Sequence, residues 1–463
     1  MKRFPVFRAN RPGFHAKNIS AVDPSDRPTK VREGSRQREP SGNTAESSPP
    51  LKLRLIARVI IYLTLHLLHF EPYHLIRNKL HIQSLIQSLQ RSLCLAMSTH
   101  KAALAVAKGK PFEVDVRPTP KPGPGELLLE VKSVALNPAD TIIQDLGLFI
   151  PSYPTVIGFD IAGVVLEVGD EVPLDGSKGS AFRSGMRVAA YSASVWKSCN
   201  PDYGAFQERC LVPWQHAVIL PEQGISWNQA ATLPVSFQVP LMAWDAMGIP
   251  RLGNTSGTTA QEDRTHKKEV LLIWGASSSV GTGGVQSARL LREDPTSAIA
   301  AVYATAGAAN NDYVRALGAD RVFDYAASQV VDVIVSAAKE DGLVIQHCFL
   351  SMGQLAPCQA VLKAFSQDGG AKIASAPPVP ADAEVITDVE TIFTQPLMND
   401  EQGRLAQFEY WTATWLREKL ASGSVKPSPE PRVVGKGVEA INGGLEVLRQ
   451  GVSCTKLVVE VAQ

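Results

Sequence analysis

Cysteine is scarce in this chain. Cys94, Cys199, Cys210, Cys348, Cys358 and Cys454 are its six among 463 residues, and no two form a Cys-x-x-Cys pair. That spacing excludes a disulfide-stapled scaffold and a zinc knuckle, and it predicts scattered reduced thiols. Long hydrophobic runs are missing too. The clean run Val59–Phe70 spans 12 residues and includes His66 and His69, too short for a membrane span. Net charge is nearly absent at +1, but it is unevenly distributed. Residues 1–96 hold 16 Lys and Arg against 6 Asp and Glu, leaving 30 against 39 for residues 97–463. A mildly acidic body argues against nucleic-acid binding as its task.

The first 96 residues differ from the rest. Residues 17–50 are rich in Ser, Pro, Arg and Glu and poor in large apolar residues, which predicts disorder. The apolar stretch 51–70 is interrupted by Lys52, Arg54 and Arg58, and it lies too far from the start for a signal peptide. The expectation is that Met97 is the true start and that residues 1–96 are disordered or an over-extension of the gene. A basic mitochondrial transit segment is the alternative, weakened by its acidic residues. The body is expected to be cytoplasmic and independent of membranes.

The strongest motif is Val270-Leu271-Leu272-Ile273-Trp274-Gly275-Ala276-Ser277-Ser278-Ser279-Val280-Gly281-Thr282-Gly283-Gly284. A short apolar run breaks into small residues and resumes at helical spacing, predicting a buried parallel strand, a tight turn and a helix. Bare N–H groups at a helix N-terminus attract phosphate, and small residues admit a pyrophosphate. Gly275, Ser277, Ser278, Ser279, Val280 and Gly281 are therefore the candidate dinucleotide contacts. Their spacing departs from Gly-x-Gly-x-x-Gly, and any glycine-rich turn between strand and helix would look similar. Ala300–Ala306 reads as the next strand. It ends without the Asp or Glu that would hold an NAD ribose. A 2′-phosphate is thus not repelled, and Thr305, Asn310 and Tyr313 are expected around it, with Arg315 adding charge. NADPH is the expected cofactor. The plainer reading of these polar residues is a cap on a helix from Asn311 to Leu317, ended by Gly318.

Short strands come first, at Leu127–Val134, Gly158–Gly169, Gly185–Tyr191 and Gly204–Val212, and they suggest a small barrel. Helical spacing follows over Trp227–Met247. Alternating strands and helices then run to about residue 375, including a strand at Leu343–Cys348. A helix over Glu409–Leu420 and a closing strand over Lys456–Val461 complete the pattern. The expected division is a barrel over 97–240, a dinucleotide fold over 241–390 and a return to the barrel over 391–463.

This order resembles the medium-chain dehydrogenase/reductase superfamily across 97–463. The resemblance is carried by Asn137-Pro138-Ala139-Asp140, the Gly158–Gly169 strand, Gly204-Ala205-Phe206, the glycine turn and Leu317–Tyr325. It implies an α/β protein, with a GroES-like β-barrel domain plus a Rossmann domain of doubly wound parallel sheet. The tail from Gly443-Gly444-Leu445 to Ser453-Cys454-Thr455-Lys456-Leu457-Val458 looks like the quinone-reductase-like branch, and more closely like fungal trans-acting enoyl reductases of polyketide pathways.

Zinc-dependent members need thiolate and imidazole ligands for an open tetrahedral site. Where they carry a Cys ligand, this chain has the Asn137–Asp140 tetrapeptide. Where they carry Gly-His-Glu, it has Gly158-Phe159-Asp160, and the four-cysteine lobe is missing. No metal is expected. The resemblance then implies NADPH-dependent reduction of the double bond of an enoyl thioester or similar activated alkene, small or carrier-borne, with a polyketide synthase as a partner. A quinone or enone reductase of detoxifying type is the competing enzyme, and a non-catalytic NADPH-binding protein the competing class. A monomer follows from the polyketide-associated resemblance and a homodimer from the quinone-reductase-like one.

Asn137 is the candidate polar residue at the cleft floor, bonding the nicotinamide ribose or orienting substrate. A plain Asn-Pro turn is the alternative. Asp140 is expected to cap the following helical turn. Ser236 and Gln238 fall where relatives line the nicotinamide pocket, or simply on a helix face. His347 and Cys348 are expected to end a strand near the cofactor. No secure proton donor is evident. Tyr153 reads as a packing residue, and solvent is left as the proton source.

Overall fold

The computed structural model describes residues 98–174, 181–251, 268–366 and 370–462. The expectations for residues 1–96, including Val59–Phe70, Cys94 and a start at Met97, lie outside the described residues.

The first half is built on strands. β1 (Thr99–Leu104) and β2 (Glu113–Pro118) form an antiparallel pair. β3 (Glu126–Ala135) leads into helix α1 (Pro138–Leu146), followed by β4 (Asp160–Val168), β5 (Arg187–Tyr191), β6 (Arg209–Pro213) and β7 (Ala217–Ile219). Helices α2 (Trp227–Ala231) and α3 (Leu233–Met247) carry the chain into the second half.

There β8 (Glu269–Trp274), α4 (Ser279–Glu293), β9 (Ile299–Ala306), α5 (Asn311–Ala316), β10 (Arg321–Asp324), α6 (Val330–Glu340), β11 (Val344–Leu350), α7 (Leu355–Lys363), β12 (Ala371–Ser375) and β13 (Val389–Phe393) alternate. The chain returns through α8 (Glu401–Phe408), a wide π-type turn over Glu409–Leu416 and α9 (Arg417–Ala421). It then forms β14 (Pro431–Lys436), α10 (Ile441–Arg449) and β15 (Lys456–Glu460).

Strands β8 to β13 form one parallel sheet in the order β10-β9-β8-β11-β12-β13. Five of the six residues of β8 are buried, as a strand covered on both faces requires. The chain steps outward from β8 to β10, then crosses back to place β11 on the other side of β8. That reversal opens a crevice beyond the carboxyl ends of β8 and β11, where ligands of such sheets bind. The other sheet runs β14-β15-β3-β4-β5-β7, with β6 also on β3. The return segment is therefore part of the barrel wall. β13 straddles residue 390, so the parallel sheet extends past the expected boundary there.

Two helical expectations need correction. Trp227–Met247 is two helices, broken at Thr232; Pro234 sits in the first turn of the second, where its missing N–H leaves no bond unmet, and Pro240 lies within it. Twelve of the fifteen residues of α3 are buried, and it packs into the core shared by the two sheets. The helix expected over Glu409–Leu420 starts earlier, at Glu401. Asp400 caps it by accepting the Gly403 N–H at 2.8 Å, a start hidden in a stretch that reads as a loop.

Candidate active site

At the end of β8 the backbone turns at Gly275 with φ 79°, and a Cβ there would meet the Met352 carbonyl oxygen at 2.4 Å. Ser278 caps α4 by accepting the Gly281 N–H at 3.1 Å. A Cβ on Gly281 would lie 2.6 Å from the Gly275 carbonyl oxygen, so turn and helix close on each other without side chains between them. Ser277, Ser278, Ser279 and Val280 are half-buried at the mouth of this turn. A helix of fifteen residues, a bare first turn and hydroxyls at its lip fit a dinucleotide pyrophosphate.

Two neighbours brace the turn. Ser351, just beyond β11, donates to the Trp274 and Gly275 carbonyls at 2.6 and 2.9 Å and accepts from Ser278 at 3.1 Å. The sequence reading missed Ser351, whose signal was positional: it follows the strand beside β8. Thr305 is fully buried, and its Oγ1 accepts the Gly275 N–H at 3.0 Å. It therefore stands beneath the turn and holds it, and no face is left for a cofactor phosphate.

Beyond β9, Asn310 and Tyr313 sit at the start of α5. Asn310 Nδ2 donates to Ser453 Oγ at 3.0 Å, so the return segment reaches this edge of the sheet. Burial, together with Cys454 and Glu430, pushes the Tyr313 hydroxyl up to about 12, leaving it a neutral donor. Arg315 pairs with Asp312 at 3.1 Å on the surface. Tyr325, 44% exposed, lies alongside Gly307 and was not anticipated.

On the barrel side, Asn137 starts α1 and is 3% exposed. Its Nδ2 donates to Asp160 Oδ2 at 2.9 Å and to the Ala135 carbonyl at 3.4 Å, and its Oδ1 accepts from Lys456 Nζ. The amide expected at the cleft floor is thus committed inside the protein. Asp140 does cap the helix start, accepting the Asn137 N–H at 2.7 Å. Its Oδ1 is buried without a partner. Burial and the neighbouring Asp160 carboxylate push the Asp140 carboxyl up to about 7, against the pull of its Asn137 bond and Lys456. Lys456 Nζ lies 3.0 Å from Asp160 Oδ2, the pair being 3% and 0% exposed. Lys456 was read only as part of a strand, and nothing in the local sequence signals its partner so far away along the chain.

Ser236 is fully buried with no partner for its hydroxyl, while Gln238 Oε1 accepts from Thr412 at 2.7 Å. His347 is corrected outright. It sits three residues before the end of β11, bonded through Nδ1 to Glu269 at the start of β8, toward the opposite end of the sheet from the glycine turn. Cys348 is buried beside it. β11 runs on to Leu350, so neither residue ends the strand. Tyr153 packs against the barrel core. Among the described residues, no three His, Cys, Asp or Glu side chains are placed to hold a metal ion, and no helix is long and apolar enough to cross a membrane.

A parallel sheet with a bare helix N-terminus at its crossover, joined to a barrel, defines a nicotinamide-dependent oxidoreductase built on two halves. The alcohol dehydrogenase GroES-like domain matches residues 123–222. A trans-enoyl reductase of Aspergillus flavipes, tndF, is 38% identical over 363 residues, 78% of this chain and 98% of the relative. Another from Aspergillus terreus, tazE, is 39% identical over 65% of this chain and 93% of the relative. Among solved structures, an alcohol dehydrogenase superfamily protein from Novosphingobium aromaticivorans superposes with TM-score 0.58 at 21% identity, over 78% of this chain and all of that one. A quinone oxidoreductase from Pseudomonas syringae gives 0.55 at 21%, over 78% of this chain and 99% of that one. The chain belongs to the medium-chain dehydrogenase/reductase family with a GroES-like domain, among relatives that include fungal trans-enoyl reductases.

Proposed function

We propose that this protein is an NADPH-dependent enoyl reductase that works without zinc, on an enoyl thioester delivered by a polyketide synthase. The observation that carries the reading is the barrel side of the cleft. The two positions that hold metal ligands in zinc-dependent relatives are Asn137 and Phe159 here, neither a thiolate nor an imidazole, and Asn137 is tied into a buried network with Asp160 and Lys456. The cofactor, when bound, supplies hydride to the β-carbon of a conjugated carbonyl. The chain's own part is to bind, orient and exclude water. Gly275, Ser277, Ser278, Ser279, Val280 and Gly281 hold the pyrophosphate. Asn310, Tyr313 and Tyr325 surround the adenosine phosphate, and the absence of an acid after Ala306 leaves room for its charge. Asn137 acts indirectly, by fixing the wall against which the substrate lies. Asp140 is too enclosed to be the proton donor, so the α-carbon proton comes from solvent.

The full-length protein is to be followed by NADPH absorbance with a short enoyl thioester and, separately, a simple quinone. Thioester reduction with little quinone reduction is expected. Quinone reduction alone moves the protein to the detoxifying branch, and cofactor binding with neither activity overturns the enzymatic reading.

A further inference from the structure

Helix α3 begins without a side-chain cap of its own, because Thr232 at its N-cap position makes no capping hydrogen bond. The cap arrives from 75 residues away. Asp160 Oδ1 accepts the Val235 N–H at 2.7 Å, Val235 being the third residue of the helix. A carboxylate there satisfies an orphan donor and meets the positive end of the helix. Its other oxygen is held by Asn137 Nδ2 at 2.9 Å and Lys456 Nζ at 3.0 Å. One residue further along, α3 touches the cofactor helix backbone to backbone. A Cβ on Gly283 would lie 2.0 Å from the Ser236 carbonyl oxygen. Gly283 follows two residues after Gly281 of the phosphate turn. Rigid contacts therefore run without a gap from β15 and β4, through Asp160, Val235 and Ser236, to the helix that holds the pyrophosphate.

We propose that Asp160, clamped by Lys456 and Asn137, is a positioning residue: it sets α3, and through α3 it sets the phosphate-binding turn relative to the barrel wall. This rests on reading the cleft as a nicotinamide-dependent active site. Both oxygens of Asp160 are used inside the protein, so it acts through α3 and does not touch the reacting atoms. Its loss leaves the turn and its Ser278 cap intact, and so shifts alignment more than cofactor affinity.

The test compares Asp160→Ala/Lys456→Met with Asp160→Asn/Lys456→Met, each of which removes both partners of the buried ion pair together. Gly283→Ala perturbs the other end of the same contact path. Three quantities are read: amide hydrogen exchange, the NADPH dissociation constant by fluorescence, and kcat. In the Ala/Met variant, exchange is expected to rise about tenfold at Val235 and several-fold over residues 281–284. kcat falls at least about tenfold while the dissociation constant moves less than about threefold. The Asn/Met variant, which restores only the acceptor, regains Val235 protection and most of kcat. Gly283→Ala reproduces the split between kcat and affinity.

Loss of Val235 protection with kcat unchanged overturns the proposal, as does an Asn/Met variant no better than Ala/Met. Parallel loss of kcat and affinity overturns it too, since that is the mark of general destabilisation. If the wild type binds NADPH but reduces no acceptor, the functional reading fails on its own. The exchange data then decide the coupling, and unchanged exchange over residues 281–284 in the Ala/Met variant refutes it.

Discussion

Thr305→Val separates two roles that the same residue could play. Valine matches threonine in shape, so the core around this fully buried position stays filled. What is lost is the hydroxyl that accepts the Gly275 N–H at 3.0 Å. Leaving that part-buried donor unmet costs about 1–2 kcal/mol. For a protein of this size, the melting temperature is expected to fall by about 1–3 °C. The turn it braces serves any dinucleotide, so NADPH and NADH weaken by the same factor and their ratio is preserved. Thermal denaturation and paired fluorescence titrations with the two cofactors measure both effects. A loss of NADPH affinity of about tenfold with NADH unchanged and no drop in melting temperature would refute the reasoning and return Thr305 to the 2′-phosphate.

Other expectations follow from the same geometry. Ser278→Ala removes the cap of α4 and the link to Ser351; stability drops by about 1 kcal/mol and both cofactors bind more weakly, which denaturant titration and fluorescence check. Gly163→Ala drives a Cβ to 2.1 Å from the Glu130 carbonyl across the β3–β4 pairing, and it is expected to cost about 3 kcal/mol or more or to abolish soluble expression. Asp140 gives a pH dependence with a definite sign. Its folded carboxyl is raised from the ordinary carboxylate range to about 7, so the native state binds the extra proton and stability falls as pH rises from about 4 to about 7. Asp140→Asn should flatten that slope in urea titrations across this range; an unchanged slope shows the carboxyl to be ionised throughout.

Much of the parallel half was legible along the chain, because its signals are local. Val270–Trp274 is apolar on both faces, Gly275 needs a positive φ, and Gly318, at φ 120°, ends α5 as expected. On the barrel side β3, β4, β5, β6 and β15 match expected strands with bounds shifted by a few residues, while β1, β2, β7 and β14 were not foreseen. Illegible were the partners brought in from afar. Nothing near Lys456 announces Asp160, and nothing near Asn137 shows that its amide is occupied. Thr305 was assigned by its place at a strand end, which fixes the level along the sheet but not the direction of the side chain. His347 was misjudged because β11 runs to Leu350, a difference of two residues that reverses which end of the sheet it serves.

The place of β15 between β14 and β3 has a consequence for how the molecule acquires its shape. Its Val458 stands opposite Ala135, more than three hundred residues earlier. By contrast, every strand of the parallel sheet comes from residues 269–393. Ring closure over so long a loop is entropically expensive and slow to find. The parallel sheet can therefore assemble first and serve as a template, with the barrel wall sealed late by the last strand. An unsealed barrel would expose the neighbouring edges of β3 and β14, which makes the closing strand a guard against association with other nascent chains.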